Sequence, residues 1–173
     1  MRVFIGIGGN VADPFWGPPV AVLTAATEAL GRHGIPLLGR SRWYLSAAVP
    51  PSDQPPCTNA VLEVAPDREP DALLQALHAV EAAFGRRRGA VNAARILDLD
   101  LVAFGDLVRA DADGLQLPHP RMHQRAFVLN LLAELAPDWR HPVSGRGIAE
   151  LLAAVPAEQW AVPVEDSVAD APG

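Results

Sequence analysis

Two aspartates separated by a single residue are the strongest chemical signal in the sequence. Asp98 and Asp100 alternate with leucines at positions 97, 99 and 101. Because successive side chains of a strand point to opposite faces, the leucines share a core face and the carboxylates share the other, about 7 Å apart along the strand. Mg²⁺ binds through one or two carboxylates together with substrate phosphates, so the pair predicts a site for two magnesium ions. A solvent-facing strand with incidental acids is the alternative.

An arginine-rich segment lies just before this pair. Arg86, Arg87 and Arg88 follow one another, and Arg95 stands three residues before Asp98. Arginine contacts phosphate groups through paired hydrogen bonds, so the segment predicts a loop over 86–95 that closes on phosphates. The three consecutive arginines by themselves have a simpler interpretation: they are solvent-exposed charges that offset the dipole of the preceding helix.

A second polar cluster falls between positions 118 and 127. It holds His119, Arg121, His123, Arg125 and Phe127. Prolines at 118 and 120 restrict the backbone on both sides of His119, which suits a side chain held in one place. Surface polar residues at the start of a helix are the alternative.

Residues 53–60 lead from a proline-rich loop into a predicted strand. The amide of Asn59 can donate and accept hydrogen bonds at the edge of a heterocycle, although an asparagine at the entry of a strand is the plain alternative. Cys57 is more typical of a small packed residue than of a nucleophile. The sequence contains no Gly-x-x-x-x-Gly-Lys-Ser/Thr loop, so a nucleotide would be bound in another way.

Composition limits the classes of function. The chain has 173 residues, enough for one domain, with 50% hydrophobic residues and a formal net charge of -6. Nucleic-acid-binding domains are usually basic, so that class is disfavoured. The single cysteine cannot form an internal disulfide, which favours a reducing cytosol. No apolar run reaches about 18 residues, so no membrane span is expected.

The elements that position these residues follow from hydrophobic periodicity and from glycine and proline boundaries. We predict strands over 2–8, 37–45, 59–65, 97–103 and 107–109, and helices over 18–33, 70–84, 124–135 and 148–154. The order is typical of an α+β, ferredoxin-like fold, an antiparallel sheet with helices on one face, here with extra C-terminal helices. We expect the other face to be free for a ligand or partner. Residues 1–160 then form one domain, and 161–173 a poorly ordered acidic tail.

Taken in order, these segments resemble the 6-hydroxymethyl-7,8-dihydropterin pyrophosphokinase family of folate biosynthesis, whose fold is ferredoxin-like with extra helices. The matching stretches span most of the chain, from Ile5 to Leu132. The two most specific are Arg95-Ile96-Leu97-Asp98-Leu99-Asp100 and Leu117-Pro118-His119-Pro120-Arg121-Met122. The others are 5–10, 41–44, 53–60, 81–86 and 125–127.

The resemblance implies an enzyme, a Mg-dependent diphosphotransferase. It would transfer a diphosphate group from ATP to the hydroxymethyl group of 6-hydroxymethyl-7,8-dihydropterin and release AMP. Two Mg²⁺ ions would be held by Asp98 and Asp100, with ATP as co-substrate. We expect a cytoplasmic monomer that binds neither nucleic acid nor a membrane.

By matching position, the resemblance also implies ligand contacts. Arg86 and Arg88 would lie in the loop that closes over ATP. The remaining ATP contacts would be His78, Glu81, Arg95, His119 and Arg125. The pterin contacts would be Gly8, Ser46, Val49, Cys57, Asn59 and Phe127, of which Phe127 would stack on the ring. The family commonly has an aromatic residue where Cys57 stands, and its Trp-Gly-Pro-Arg loop ending is here Asn92-Ala93-Ala94-Arg95.

A non-catalytic ferredoxin-like module that binds a pterin or another small molecule is the alternative from a different functional class. It accounts for the fold and for the acidic charge. It gives no reason for two acids, two arginines and a histidine to occur together, at Asp98, Asp100, Arg95, Arg125 and His119.

Overall fold

An antiparallel sheet forms the centre of the fold. The computed structural model describes residues 1–47, 53, 55–85, 96–112 and 114–164. Its strands are β1 (Val3–Gly9), β2 (Leu37–Arg40), β3 (Tyr44–Ser46), β4 (Cys57–Val64), β5 (Asp98–Phe104), β6 (Arg109–Ala110), β7 (Gln116–Leu117) and β8 (Ala161–Pro163). In the main sheet the order is β5-β1-β4-β3-β8, with β2 also paired to β4, and β6 and β7 form a separate pair. The predicted α+β class is confirmed.

Two amphipathic helices cover the first face of the sheet, as predicted. They are α1 (Pro19–Arg32) and α2 (Pro70–Ala83). Each begins at a proline, whose fixed φ suits the first helical turn. Leu23 of α1 and Leu77 of α2 are fully buried in one core together with alternate residues of β1, including Ile5.

Helices also cover the second face, so the expectation that this face is free is wrong over much of its area. They are α3 (Ala126–Leu135) and α4 (Ile148–Ala153), and they share a second core with Phe4, Val61 and Val102 of the sheet. The sequence of α3, AFVLNLLAEL, is apolar on most sides. A helix of that composition has to be buried on more than a single stripe, and the second sheet face is where it packs.

Three predicted boundaries change in the structure. The predicted strand over 37–45 is two strands, because the Ser41 hydroxyl accepts the backbone N–H of Val61 at 2.9 Å and interrupts the ladder with β4. The strand expected at 107–109 begins only at its last residue, as β6 (Arg109–Ala110), which pairs with β7. Residues 161–163, which were expected in the tail, form β8 and pair with β3; residues 165–173 of the expected tail lie outside the described residues.

No helix in the described parts of the chain is long and apolar enough to cross a membrane.

Candidate active site

The acidic pair lies on β5 with its side chains on the second face of the sheet. Leu97, Leu99 and Leu101 are 0%, 2% and 4% exposed in the first core, while Asp98 and Asp100 are half-buried. The predicted division of this strand into a leucine face and a carboxylate face is therefore confirmed. Anchored leucines fix the backbone that carries the acids.

Two glycines of β1 make a strip of bare backbone beside the acidic pair. Gly8 pairs with Asp98 and Gly6 with Asp100 on one side, and on the other side Gly8 pairs with Asn59 of β4. Since neighbouring strands lie about 4.8 Å apart, the Cα atoms of Asp98 and Asn59 are about 10 Å apart across this strip. The sheet register thus places the expected metal-binding and ring-binding residues next to each other on the same face of the sheet.

Close approach of Asn59 is what requires glycine at position 8. A Cβ atom on Gly8 would lie 2.4 Å from the Asn59 Oδ1 atom and 3.3 Å from the Thr58 carbonyl oxygen. The first distance is shorter than any normal contact of a Cβ atom. Gly8 is therefore part of the site because it has no side chain.

The amide of Asn59 is buried and oriented by its neighbours. Asn59 is 7% exposed and Ser46 1% exposed. The Asn59 Nδ2 group donates to the Ser46 hydroxyl at 2.7 Å and to the Cys57 carbonyl at 3.3 Å. An amide nitrogen has two hydrogens, so both are used within the protein and the Oδ1 atom is left facing Gly8. The sequence suggested that Asn59 both donates and accepts; in this arrangement it is an acceptor.

Cys57 begins β4 next to this amide. It is half-buried, its thiol is free of any disulfide, and its backbone pairs with Ser46 of β3. The structure therefore brings Gly8, Ser46, Cys57 and Asn59 together, four of the six residues that the resemblance implies as pterin contacts. Their roles toward a ligand stay predictions.

His119 lies beside the acidic strand. Its backbone N–H donates to the Val102 carbonyl at 2.8 Å, and its Nδ1 atom accepts the backbone N–H of Arg121 at 3.2 Å. Burial, reinforced by the positive charges of Arg125 and Arg121, lowers the pKa of His119 to about 4, although Asp98 opposes the shift. His119 is therefore neutral near pH 7, with its proton on Nε2.

Arg125 and Phe127 meet at the start of α3. The Arg125 guanidinium carbon lies 5.6 Å from the centroid of the Phe127 ring, within the range of a cation–π contact. Arg125 also acts electrostatically on His119. One cation thus contacts the aromatic ring and acts on the histidine beside the acidic strand.

Gln159 holds the same end of α3 and was missed by the sequence analysis. Its Oε1 atom accepts the backbone N–H of Ala126 at 3.3 Å, which satisfies one of the N–H groups that a helix start leaves open. The two residues are 33 positions apart, and no local pattern links them.

Glu81 and His78 lie one turn apart on α2. Glu81 is 4% exposed, and its Oε2 atom accepts the backbone N–H of Leu99 at 2.8 Å. His78 is half-buried. The carboxylate expected at the nucleotide side therefore contacts the protein backbone between the two aspartates, while a nucleotide contact of His78 stays a prediction.

A network that the sequence did not reveal joins α3 to β3. Glu134 accepts the Tyr44 hydroxyl, the backbone N–H of Arg42 at 2.9 Å and the Arg42 Nε–H at 3.1 Å. Burial alone would raise the pKa of Glu134, but the hydrogen bonds from Arg42 and Tyr44 outweigh it and hold that pKa below its usual range. Tyr44 pairs in register with Asn59, so the network connects the helix of Phe127 to the strand beside the amide.

Four predicted site residues lie outside the described residues: Val49, Arg86, Arg88 and Arg95. Among the residues that the structure describes, no group of three or more His, Cys, Asp or Glu side chains could hold a metal ion. The two carboxylates of β5 are compatible with a Mg²⁺ site in which water and substrate phosphates provide the other ligands. Such sites need only one or two protein carboxylates.

Comparisons with known proteins show the family of this chain. A profile of the family described as 7,8-dihydro-6-hydroxymethylpterin-pyrophosphokinase (HPPK) matches residues 4–137. A 2-amino-4-hydroxy-6-hydroxymethyldihydropteridine pyrophosphokinase of Pseudomonas aeruginosa is 41% identical over 160 residues, which cover 91% of this chain and 93% of the relative. A protein of the same name from Synechocystis is 41% identical over 149 residues, covering 86% of this chain and 73% of the relative.

A solved structure supports the fold alone. The crystal structure of Plasmodium falciparum HPPK-DHPS A437G with STZ-DHP matches with a TM-score of 0.67 and 11% sequence identity. The match covers 88% of this chain and 45% of that chain.

Proposed function

This chain belongs to the 7,8-dihydro-6-hydroxymethylpterin-pyrophosphokinase family, and from that premise we propose that it transfers a diphosphate group from ATP to 6-hydroxymethyl-7,8-dihydropterin, releasing AMP, in folate biosynthesis. The observation that supports the proposal best is that Asp98, Gly8 and Asn59 lie side by side on three neighbouring strands, because Gly8 pairs with both other residues. This arrangement offers carboxylates for a metal and an oriented amide for a heterocycle on the same face.

The pterin lies on the Asn59 side of the glycine strip in this proposal. The Asn59 Oδ1 atom accepts an N–H from the ring, because Ser46 and the Cys57 carbonyl already take the Nδ2 hydrogens. Phe127 stacks on the ring, and the bare backbone of Gly8 allows the ring to approach. Backbone groups near Val49, in the segment that follows β3, bind the same ring.

The phosphates of ATP lie on the Asp98 side in this proposal. Asp98 and Asp100 would hold two Mg²⁺ ions, and the bound metal would supply positive charge that stabilises the phosphates during transfer. Arg125, with Arg86, Arg88 and Arg95, binds the phosphates by charge-assisted hydrogen bonds. His119 contributes the N–H of its Nε2 atom and not a positive charge, because burial and its arginine neighbours keep it neutral.

The reaction is a substitution at the β-phosphorus of ATP. The oxygen of the pterin hydroxymethyl group forms a bond to the β-phosphorus, the bond to the oxygen shared with the α-phosphorus breaks, and AMP leaves with that oxygen. The hydroxyl proton is released to water. The role of the protein is to hold the hydroxyl and the β-phosphorus within reach and in line, which is where most of the acceleration of phosphoryl transfer arises.

We place this activity in the cytoplasm, with the protein acting as a monomer. A single cysteine that forms no disulfide fits a reducing compartment. A single chain supplies both the acidic pair and the Asn59 amide, so a second copy is not needed to complete the site.

The test is AMP formation by the purified full-length chain. With ATP, Mg²⁺ and 6-hydroxymethyl-7,8-dihydropterin together, we expect AMP and pterin diphosphate in equal amounts, and neither product when any component is omitted. Asp98→Asn and Asp100→Asn should each lower turnover at least about a hundredfold, the loss of several kcal/mol of charge stabilisation.

Asp106→Asn is the matched control, because Asp106 is an exposed acid in the turn just after β5. It should keep wild-type turnover. Calorimetric binding of the pterin without any AMP would instead identify a non-catalytic binding module, and loss of activity in all three variants would remove the special role of the β5 acids.

A further inference from the structure

A buried carboxylate, that of Glu81, accepts a hydrogen bond from β5, the strand that carries the acidic pair. Glu81 projects from α2 and is 4% exposed. Its Oε2 atom accepts the backbone N–H of Leu99 at 2.8 Å. The two residues are 18 positions apart, so this is a tertiary contact and not a feature of local helix geometry.

The N–H group that Glu81 accepts lies between the two aspartates. Among the strands that the structure describes, β5 is at the edge of the sheet and pairs with β1 alone. Asp98 and Asp100 pair with Gly8 and Gly6 of β1. In an antiparallel edge strand, alternate backbone groups point away from the neighbouring strand. Leu99 presents such an outward N–H, and Glu81 accepts it.

The contact fixes the backbone of the acidic pair from its second side. On one side β1 holds residues 98 and 100 through the ladder. On the other side Glu81 holds residue 99, and the side chain of Leu99 is buried at 2% exposure in the first core. Three independent restraints thus act on three consecutive residues.

We infer that Glu81 is a positioning residue, which sets the spacing and direction of the Asp98 and Asp100 carboxylates through its hydrogen bond to Leu99. The inference rests on the proposed function of the acidic pair as the metal-holding group. It assigns Glu81 a role different from the nucleotide contact that its sequence position suggests. A carboxylate that is used by the backbone and is nearly closed to solvent is poorly placed to bind a ribose or a base.

Two substitutions separate this role from its alternatives. Glu81→Gln keeps an oxygen that can accept the Leu99 N–H but removes the charge. Glu81→Met keeps a side chain of similar volume but removes the acceptor, so no cavity is created. Gln75→Ala on the exposed side of α2 is the control.

The first measurement is amide hydrogen exchange at Leu99 by NMR, made without metal or substrates. We expect exchange in Glu81→Met to be at least tenfold faster than in wild type, while Glu81→Gln and Gln75→Ala stay within threefold. Unchanged exchange in Glu81→Met overturns the inference, because Glu81 would then not hold Leu99.

The second measurement is the Mg²⁺ concentration that gives half-maximal AMP formation. We expect Glu81→Met to raise it about tenfold with little change in the KM of the pterin, and Glu81→Gln to stay near wild type. If Glu81→Gln is as impaired as Glu81→Met while its Leu99 amide stays protected, the charge acts directly on a ligand and the positioning role is wrong.

Failure of the proposed function has a different signature. If the wild-type chain forms no AMP, the proposed function fails and the positioning role fails with it, whatever the exchange data show. If the wild-type chain forms AMP and Glu81→Met leaves the Mg²⁺ dependence unchanged, only the positioning role is overturned.

Discussion

Gly8→Ala should damage the pterin side of the site while leaving the fold intact. The added Cβ atom would lie 2.4 Å from the Asn59 Oδ1 atom, so either the strand or the amide has to move by most of an ångström. The amide cannot rotate freely, because its Nδ2 group donates to the Ser46 hydroxyl at 2.7 Å. The substitution therefore breaks the orientation of the group that is proposed to bind the ring.

The loss of stability expected for Gly8→Ala follows from the overpacking that the added methyl group causes. Inserting a methyl group into a filled site costs about 1–3 kcal/mol, and about 1 kcal/mol of that cost corresponds to losing the amide–hydroxyl hydrogen bond. For a domain of this size, each kcal/mol lowers Tm by about 2–4 °C, so we expect a fall of about 2–12 °C. Displacing the acceptor should weaken pterin binding about tenfold or more, since 1.4 kcal/mol is a factor of ten.

Gly6→Ala is the matched control on the same strand and face. Its Cβ atom would meet only the Val102 Cγ2 atom at 3.5 Å, an ordinary contact. Replacing glycine by alanine without strain stabilises a protein by about 0.4–1 kcal/mol through the unfolded state. The two alanine substitutions are therefore expected to change stability in opposite directions.

The assay is calorimetric titration with the pterin in the presence of a non-hydrolysable ATP analogue, together with thermal unfolding. In an Asn59→Ala background, most of the stability cost of Gly8→Ala should disappear, an interaction of about 1 kcal/mol or more in the double-mutant cycle. Equal Tm values and equal pterin affinities for Gly8→Ala and Gly6→Ala would refute the reasoning.

Three further predictions concern other parts of the site. In the metal-free protein, an NMR titration should place the pKa of His119 near 4. Between about pH 6.5 and pH 4 the unfolded chain binds a proton at His119 that the folded chain does not, so the free energy of unfolding should fall by up to about 3 kcal/mol as pH falls through that window. His119→Gln should make this fall shallower. Tyr44→Phe removes the hydroxyl that Glu134 accepts and should lower the free energy of unfolding by about 1–2 kcal/mol, with a larger rise in the KM of the pterin than of ATP; an equal rise in both would show that the network does not serve the pterin side. Cys57→Tyr should tighten pterin binding about threefold by adding a second ring to the pocket, and a calorimetric loss of affinity would show that the space beside β4 is closed to an aromatic side chain.

Local patterns predicted the parts of the site that depend on neighbouring residues. The alternation of leucine and aspartate in β5 placed the carboxylates on the correct face, because strand periodicity is a property of the backbone. The stripes of α1 and α2 predicted which face they cover for the same kind of reason.

Contacts between distant segments could not be predicted from the sequence. Glu81 has the spacing of an ordinary helical residue, and only the packing of α2 against the edge of β5 brings it to Leu99. Glu134 and Tyr44 are 90 positions apart. The burial of α3 on the second sheet face likewise depends on how the chain returns after β7. The apolar composition of that helix requires burial on several sides, but it does not identify the surface that covers it.

The most direct test of the central claim is to follow the β-phosphorus of ATP. With ATP labelled at the β-phosphate and 6-hydroxymethyl-7,8-dihydropterin, we expect label in the pterin product and unlabelled AMP, while label at the α-phosphate stays in AMP. Asp98→Asn should suppress both products together. Formation of ADP with only the γ-phosphate transferred, or no label on the pterin in the presence of Mg²⁺, would contradict the account.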